Sequence, residues 1–230
     1  MPFTHSILRV FRKLTIIRWH GHACFEIVSD RGVIIGIDPH DGVSLGIRPP
    51  MFKADVILVT HNHFDHNAIQ VVSKPNSKVL DMFEGETAVG SIKIRGVRSY
   101  HDPYRGSLRG EIIIYNIEVD NMAITHLGDL GTIPEEKIFS KITPTDILMI
   151  PVGGVYTVGP SEAARVVEKI KPRIVVPMHY KIPGLRLGLK DVSDFLRKVR
   201  FDVKRISGRE FSISKDKLPS ATEIWVLTYQ

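Results

Sequence analysis

His61, His63, Asp65 and His66 fall within six consecutive residues, in the run Thr60-His61-Asn62-His63-Phe64-Asp65-His66. Imidazole nitrogen and carboxylate oxygen are the donors that zinc and its neighbouring divalent ions take up. Three imidazoles and a carboxylate this close together make little sense as core and are extravagant as surface, so the run reads as a ligand cluster. Three isolated residues further on have the right chemistry to complete it. His101 ends Ile94-Arg95-Gly96-Val97-Arg98-Ser99-Tyr100, Asp129 follows Met122-Ala123-Ile124-Thr125-His126-Leu127-Gly128, and His179 closes Arg173-Ile174-Val175-Val176-Pro177-Met178. Each stands at the C-terminal end of an apolar, β-branched segment that predicts a strand. So does the cluster itself, after Ala54-Asp55-Val56-Ile57-Leu58-Val59. Ligands at strand ends converge on one rim of a sheet, where rigid elements hold them.

The order His-x-His-x-Asp-His, followed by a distant His101, Asp129 and His179, resembles the signature of the metallo-β-lactamase superfamily. That resemblance implies an α/β fold, a four-layer αβ/βα sandwich with metals on one edge. It also implies a ligand set of two divalent ions, zinc first, with manganese or iron admissible. His61, His63 and His101 would hold one ion, Asp65, His66 and His179 the other, and Asp129 would bridge them through its two oxygens. Such a pair lowers the pKa of a shared water and polarises a carbonyl or phosphoryl oxygen, with Asp65 and Asp129 as the catalytic carboxylates. The family's oxygen-reducing diiron branch usually has glutamate where this chain has His63, so the hydrolytic branch is the better match. Trp19-His20-Gly21-His22-Ala23-Cys24-Phe25, His126-Leu127-Gly128-Asp129-Leu130-Gly131, Pro151-Val152-Gly153-Gly154 and Pro177-Met178-His179-Tyr180 are similar to the ascorbate-6-phosphate lactonase-like and uncharacterised hydrolases of that superfamily.

Several further residues have two readings each. Asp38, before Pro39, either orients a metal-ligating group or starts a turn. His22 either faces the site from the first hairpin or packs in a turn. His126 reads as a buried partner rather than a ligand. Gly153 and Gly154 either let Tyr156 or Thr157 donate hydrogen bonds to a substrate beside the metals or form a simple tight turn. Arg105, Arg109, Lys181 and Arg186 would suit a substrate phosphate or carboxylate, or solubilise the surface. His5, His20 and His40 default to surface or loop.

The elements that must position these groups follow from periodicity. Strands are predicted at 14–20, 23–28, 32–37, 55–60, 78–81, 91–95, 97–101, 111–119, 122–127, 146–150, 173–178, 203–206, 210–213 and 222–227. Helices are predicted at 66–73, from Pro134, from Pro160 to Ile170, and at 190–199. With 230 residues, 43% hydrophobic and 24% charged, one domain over 1–230 is expected, with residues 1–13 a basic N-terminal extension. No apolar stretch approaches the roughly 20 residues of a membrane span, and no secretory signal is evident. The lone Cys24 excludes an internal disulfide, reads as buried filler and fits a reducing cytoplasm. The formal charge of +6 favours anionic partners, but the basic residues are scattered.

The resulting expectation is a cytoplasmic metal-dependent hydrolase that uses a water activated by two metals on a small ester, lactone or phosphate-bearing molecule. Two alternatives stand beside it. One is a metallo-nuclease cutting RNA or DNA phosphodiesters, for which a basic groove leading from the metals would be required. The other is a metal-stabilised binding protein without turnover.

Overall fold

A computed structural model describes residues 14–229, so the predicted basic extension lies outside the described residues. Among them, a six-stranded sheet has the order β13-β1-β2-β3-β4-β5. Its strands are β1 (Thr15–Trp19), β2 (Phe25–Val28), β3 (Ile34–Ile37), β4 (Val56–Val59), β5 (Lys78–Asp81) and β13 (Glu210–Ile213). An eight-stranded sheet has the order β12-β14-β11-β10-β9-β8-β7-β6. It comprises β6 (Gly85–Val89), β7 (Ile92–Tyr100), β8 (Glu111–Val119), β9 (Met122–His126), β10 (Ile147–Pro151), β11 (Ile174–Met178), β12 (Asp202–Ile206) and β14 (Glu223–Leu227). Four short helices join them: α1 (Ile69–Val72), α2 (Glu136–Ile142), α3 (Pro160–Ile170) and α4 (Val192–Leu196). Two mixed sheets with few helices are the metallo-β-lactamase fold.

The alternation of β4 shows how a layer forms. Val56 and Leu58 enter the main core between the sheets, whereas Ile57 and Val59 join a second apolar cluster with Ala54 and Val72 of α1. Side chains two apart share a face, so the Val-Ile-Leu-Val run is buried on both sides and reads as continuous apolar sequence. The amphipathic α3 covers the core with Ala163, Val166, Val167 and Ile170, residues spaced for one helical face. Tyr115 of β8 ties the sheets together. Its hydroxyl lies 2.9 Å from the Leu80 carbonyl and accepts the Phe83 N–H at 3.0 Å.

Strand direction puts the loops on one rim. β3 and β4 are parallel, as are β9, β10 and β11, and β7 shares their direction through the antiparallel β8. The β1–β2 turn reaches the same end of the first sheet, since both pairings from β1 to β3 are antiparallel.

Some expected elements differ. The two short strands at 91–95 and 97–101 are one strand, Ile92–Tyr100, that runs through Gly96. A Cβ there would stand 1.8 Å from the Phe83 carbonyl oxygen, so the glycine marks a close approach and not a break. β6 was not expected; its half-exposed Gly85-Glu86-Thr87-Ala88-Val89 carries little alternation. The helices expected at 66–73 and 190–199 shrink to α1 and α4, because the preceding residues are used as loop and Asp191 caps α4 by accepting the Ser193 N–H. Among the described residues no helix is long and apolar enough to cross a membrane.

Candidate metal centre

The motif residues of β4's loop are fixed by hydrogen bonds that leave one ring nitrogen of each buried histidine free. Asp38, at the end of β3 and fully buried, accepts the Thr60 N–H at 2.8 Å, the Thr60 hydroxyl at 2.7 Å and His66 Nδ1 at 3.0 Å. With its proton committed to Asp38, Thr60 Oγ1 accepts from His61 Nδ1 at 2.9 Å. Both imidazoles therefore carry Nδ1–H and turn Nε2 toward the site, where His61 Nε2 is buried without a partner and His66 Nε2 faces the carboxylates of Asp129 and Asp65. A buried nitrogen without a partner is costly, and a metal ion is the partner its lone pair accepts. Asp38 thus takes the orienting role and not merely that of a turn residue, and Thr60 joins it, a role the sequence alone did not reveal.

Two all-imidazole donor groups result. Nitrogens of His61, His63 and His101 lie within 4.8 Å of one another, as do those of His66, His179 and His22. Asp129 sits between the groups. Its Oδ2 is 3.0 Å from His179 Nε2, 3.3 Å from His66 Nε2 and 3.5 Å from His101 Nε2, while Oδ1 has no partner. Asp65 Oδ2 lies 3.5 Å from His66 Nε2 and 3.0 Å from His22 Nε2. All seven expected ligands converge, and His22 joins them.

The electrostatics fit a cation. Burial disfavours charge on His66, yet the carboxylates of Asp129 and Asp65 raise its pKa well above the ordinary imidazole value. Burial works against ionised Asp129 and Asp65 too, but the facing histidines hold both far below the usual carboxylate range. This field retains a proton at the place where two divalent ions would supply positive charge. Burial pushes His61 down to about 3, and burial together with the charge of His179 pushes His22 down to about 4. Neutral imidazole is the ligating form.

The backbone brings these groups together at unusual angles. Asp38, His22 and His179 have φ of 46°, 53° and 51°, the left-handed region that residues with a Cβ seldom adopt. Gly128 (φ 54°) delivers Asp129 past Thr60, whose Oγ1 would be 2.8 Å from a Cβ. Gly153 donates its N–H to the His179 carbonyl at 3.0 Å, and a Cβ would stand 2.2 Å from that oxygen. Gly153→Ala is therefore expected to cost about 1–3 kcal/mol, the range of an overpacked contact, and to weaken metal binding by displacing His179. Thermal unfolding with and without metal checks this; an unchanged midpoint would show that the loop yields freely.

The remaining candidates separate cleanly. His126 Nε2 pairs with the Ala23 carbonyl at 2.9 Å, and its Nδ1 accepts the Gly128 N–H at 3.1 Å, so it is a buried partner of backbone and not a ligand. Tyr156 lines the cavity above the expected metal ligands. Thr157 does not line it, since its hydroxyl turns to the Val158 carbonyl at 3.3 Å. Cys24 is buried, as expected. His20 and His40, expected at the surface or in loops, lie in loops but are buried: His20 Nε2 pairs with Glu26 at 2.9 Å and His40 Nε2 with the His20 carbonyl at 3.1 Å. His5 lies outside the described residues. Of the four cations, Arg105 faces Glu135 at 3.8 Å, Lys181 donates to the Leu185 carbonyl at 3.0 Å and Arg186 reaches the Val43 carbonyl at 3.5 Å. Arg109 alone among them lines the cavity, with its guanidinium 4.9 Å from the Tyr156 ring centre. Asp102 places it by accepting the backbone N–H groups of Tyr104, Gly106, Leu108 and Arg109 at 2.8–3.0 Å. Sequence reasoning missed Asp102, although Asp-Pro followed by Gly106 and Gly110 signals an ordered loop.

This donor set on this fold defines a class, and comparison agrees. A family model described as a β-lactamase superfamily domain matches residues 16–179. A metal-dependent hydrolase of the UPF0173 family from Thermococcus onnurineus is 33% identical over 187 residues, 71% of this chain and 84% of its own. A relative of the same description from Archaeoglobus fulgidus is 28% identical over 210 residues, 80% and 90% of the two chains. A Thermotoga maritima crystal structure, classed as a Zn-dependent hydrolase of the metallo-β-lactamase superfamily, superposes with a TM-score of 0.78. It is 32% identical and covers 94% of this chain and 100% of that one. The chain belongs to the UPF0173 metal-dependent hydrolase family of the metallo-β-lactamase superfamily.

Proposed function

We propose that the chain hydrolyses a small, anionic ester, lactone or phosphate-bearing molecule with two divalent ions, held by His61, His63 and His101 and by Asp65, His66 and His179, with Asp129 between them. Zinc heads the candidate ions, because imidazole-rich, carboxylate-bridged donor sets suit it. When bound, such ions acidify water and polarise the oxygen that accumulates charge. The chain's own residues do the rest.

The observation that carries the substrate class is the cavity over the metal ligands, about 440 Å³ in volume. That is the size range of small-molecule sites. Arg109 is the single Lys or Arg among its lining residues, laid over Tyr156, and Phe64 and Leu187 supply apolar wall. A guanidinium in that position pairs with a carboxylate or phosphate oxygen of the substrate and sets the scissile group above Asp129. Asp65 lines the cavity in its charged form and is placed to accept a hydrogen bond from the attacking water and orient it. A nuclease requires a track of cations to follow a phosphate backbone, and one arginine makes no track.

The test compares matched anionic and neutral substrates, for example phosphorylated and unphosphorylated lactones or esters. Arg109→Ala is expected to raise KM for the anionic member by roughly tenfold or more, about 1.4 kcal/mol, and to leave the neutral member unchanged. Equal effects on both would remove Arg109 from recognition, and efficient cutting of RNA or DNA would favour the nuclease.

A further inference from the structure

His22 lies outside the seven-residue motif, yet it is fully buried with a ring nitrogen within 4.8 Å of nitrogens of His66 and His179. Its Nε2 is 3.0 Å from Asp65 Oδ2, and its Nδ1 is buried with no partner. The turn that carries it is built for this position. Gly21 (φ 91°) and His22 (φ 53°) both occupy the left-handed region, and a Cβ on Gly21 would meet the Tyr229 ring at 2.8 Å. The His22 carbonyl accepts the Trp19 indole N–H at 3.0 Å and the His179 backbone N–H at 3.0 Å. The first hairpin is thereby tied to the strand-end residue whose imidazole it faces, with ring centres 4.3 Å apart.

The spacing of donor atoms carries the argument further. Around one ion with bonds of about 2.0–2.1 Å, neighbouring donors stand roughly 3.0–3.4 Å apart, depending on coordination number. Four contacts here have that scale: His22 Nε2 to Asp65 Oδ2 at 3.0 Å, Asp65 Oδ2 to His66 Nε2 at 3.5 Å, His66 Nε2 to Asp129 Oδ2 at 3.3 Å, and Asp129 Oδ2 to His179 Nε2 at 3.0 Å. They join five side chains in one continuous run of near neighbours. We propose that His22 is an additional protein ligand of the ion held by Asp65, His66 and His179, so that this subsite is built from the first hairpin as well as from the strand ends of the motif. Five protein donors leave little room for a four-coordinate ion. The subsite therefore favours an ion that accepts six ligands, such as manganese or ferrous iron, more strongly than the His61, His63, His101 subsite does.

The inference rests on the two-ion reading of the site. It is tested by titrating metal-free protein with cobalt under equilibrium dialysis and recording the visible absorption of each ion. Wild type is expected to bind two ions. His22→Ala and His22→Gln are each expected to keep the ion at His61, His63 and His101 and to weaken the other by at least about tenfold, since even groups that only orient ligands are worth that much. Glutamine can still donate a hydrogen bond to Asp65 but is a poor ligand. Full recovery of affinity and absorption in His22→Gln would therefore reduce His22 to orienting Asp65 and overturn the proposal, as would two undisturbed ions in both variants. Fewer than two ions in wild type would overturn the two-ion reading and this inference together. Wild type also gives an answer that needs no variant. Cobalt-loaded protein with 15N-labelled histidine is expected to show six ring nitrogens with the large contact shifts of direct bonding to the ion, one each from His22, His61, His63, His66, His101 and His179. Five would refute the assignment.

Discussion

Replacing Asp129 with alanine is expected to leave no more than one ion bound and to lower hydrolysis on the order of 10³-fold, the upper range for losing a single preorganised electrostatic group. The expectation follows from the position of Oδ2, which lies within 3.5 Å of the Nε2 atoms of His66, His101 and His179. Those imidazoles belong to both donor groups, so removal of the carboxylate takes an anion from each at once. The fully ionised state of Asp129, maintained against burial by His179 and His66, also supplies much of the negative field that draws cations into a buried pocket. Without it, Asp65 is the one carboxylate left among the expected ligands, and like-charged ions would face each other with less between them. Elemental analysis of the purified variant, paired with turnover of any substrate the wild type accepts, checks this. Two ions at full occupancy would remove Asp129 from its bridging place. Asp129→Asn separates charge from shape: it keeps an acceptor oxygen and is expected to lose most of the binding.

The part of this centre that the sequence discloses is the part that metal chemistry forces into rare residue types. His61, His63, Asp65 and His66 are conspicuous because few other structural demands place them together, and His101, Asp129 and His179 because each ends a strand. Residues that act through geometry alone were hidden or, like His22, left with two readings. His22 follows a glycine in a turn, and only the pairing of β1 with β2, together with the His179 amide on its carbonyl, shows where that turn lands. Asp102 works through four backbone N–H groups, which have no sequence signature beyond the neighbouring proline and glycines. Arg105, Arg109, Lys181 and Arg186 are equivalent cations in the sequence; their partners tell them apart. The strands were readable from β-branched runs, whereas Gly96 read as a break because the approaching Phe83 carbonyl is a tertiary event. His20 and His40 read only as surface or loop because burial of a polar ring depends on partners, here Glu26 and a backbone carbonyl, that lie outside any local pattern.

Asp38→Asn is expected to fold nearly as well as wild type yet to bind the ion at Asp65, His66 and His179 roughly 10–100-fold more weakly, the usual effect of altering a ligand's hydrogen-bond partner. The reason is a tautomer. In the native arrangement both oxygens of Asp38 only accept, which fixes the His66 proton on Nδ1 and leaves the Nε2 lone pair facing Asp129 and Asp65. Asparagine keeps one accepting oxygen, best used for the Thr60 N–H that now pairs with Oδ1. Its NH2 group then takes the place of Oδ2 and meets two former donors, the Thr60 hydroxyl and His66 Nδ1. The hydroxyl can rotate to accept. The imidazole can accept only by moving its proton to Nε2, where it blocks the position that must carry a lone pair. The network is then satisfied, which is why folding suffers little, but it is satisfied in the form that cannot ligate. Asp38→Ala, by contrast, strands the Thr60 N–H and His66 Nδ1 in a fully buried site, at about 1–3 kcal/mol for each unpaired group, and should lose stability as well as metal. The two variants therefore separate orientation from folding: thermal unfolding of the metal-free proteins should split them, while ion titration should not. An asparagine variant that binds both ions as tightly as wild type would show that the proton on His66 is free to choose its nitrogen, and that Asp38 merely fills space.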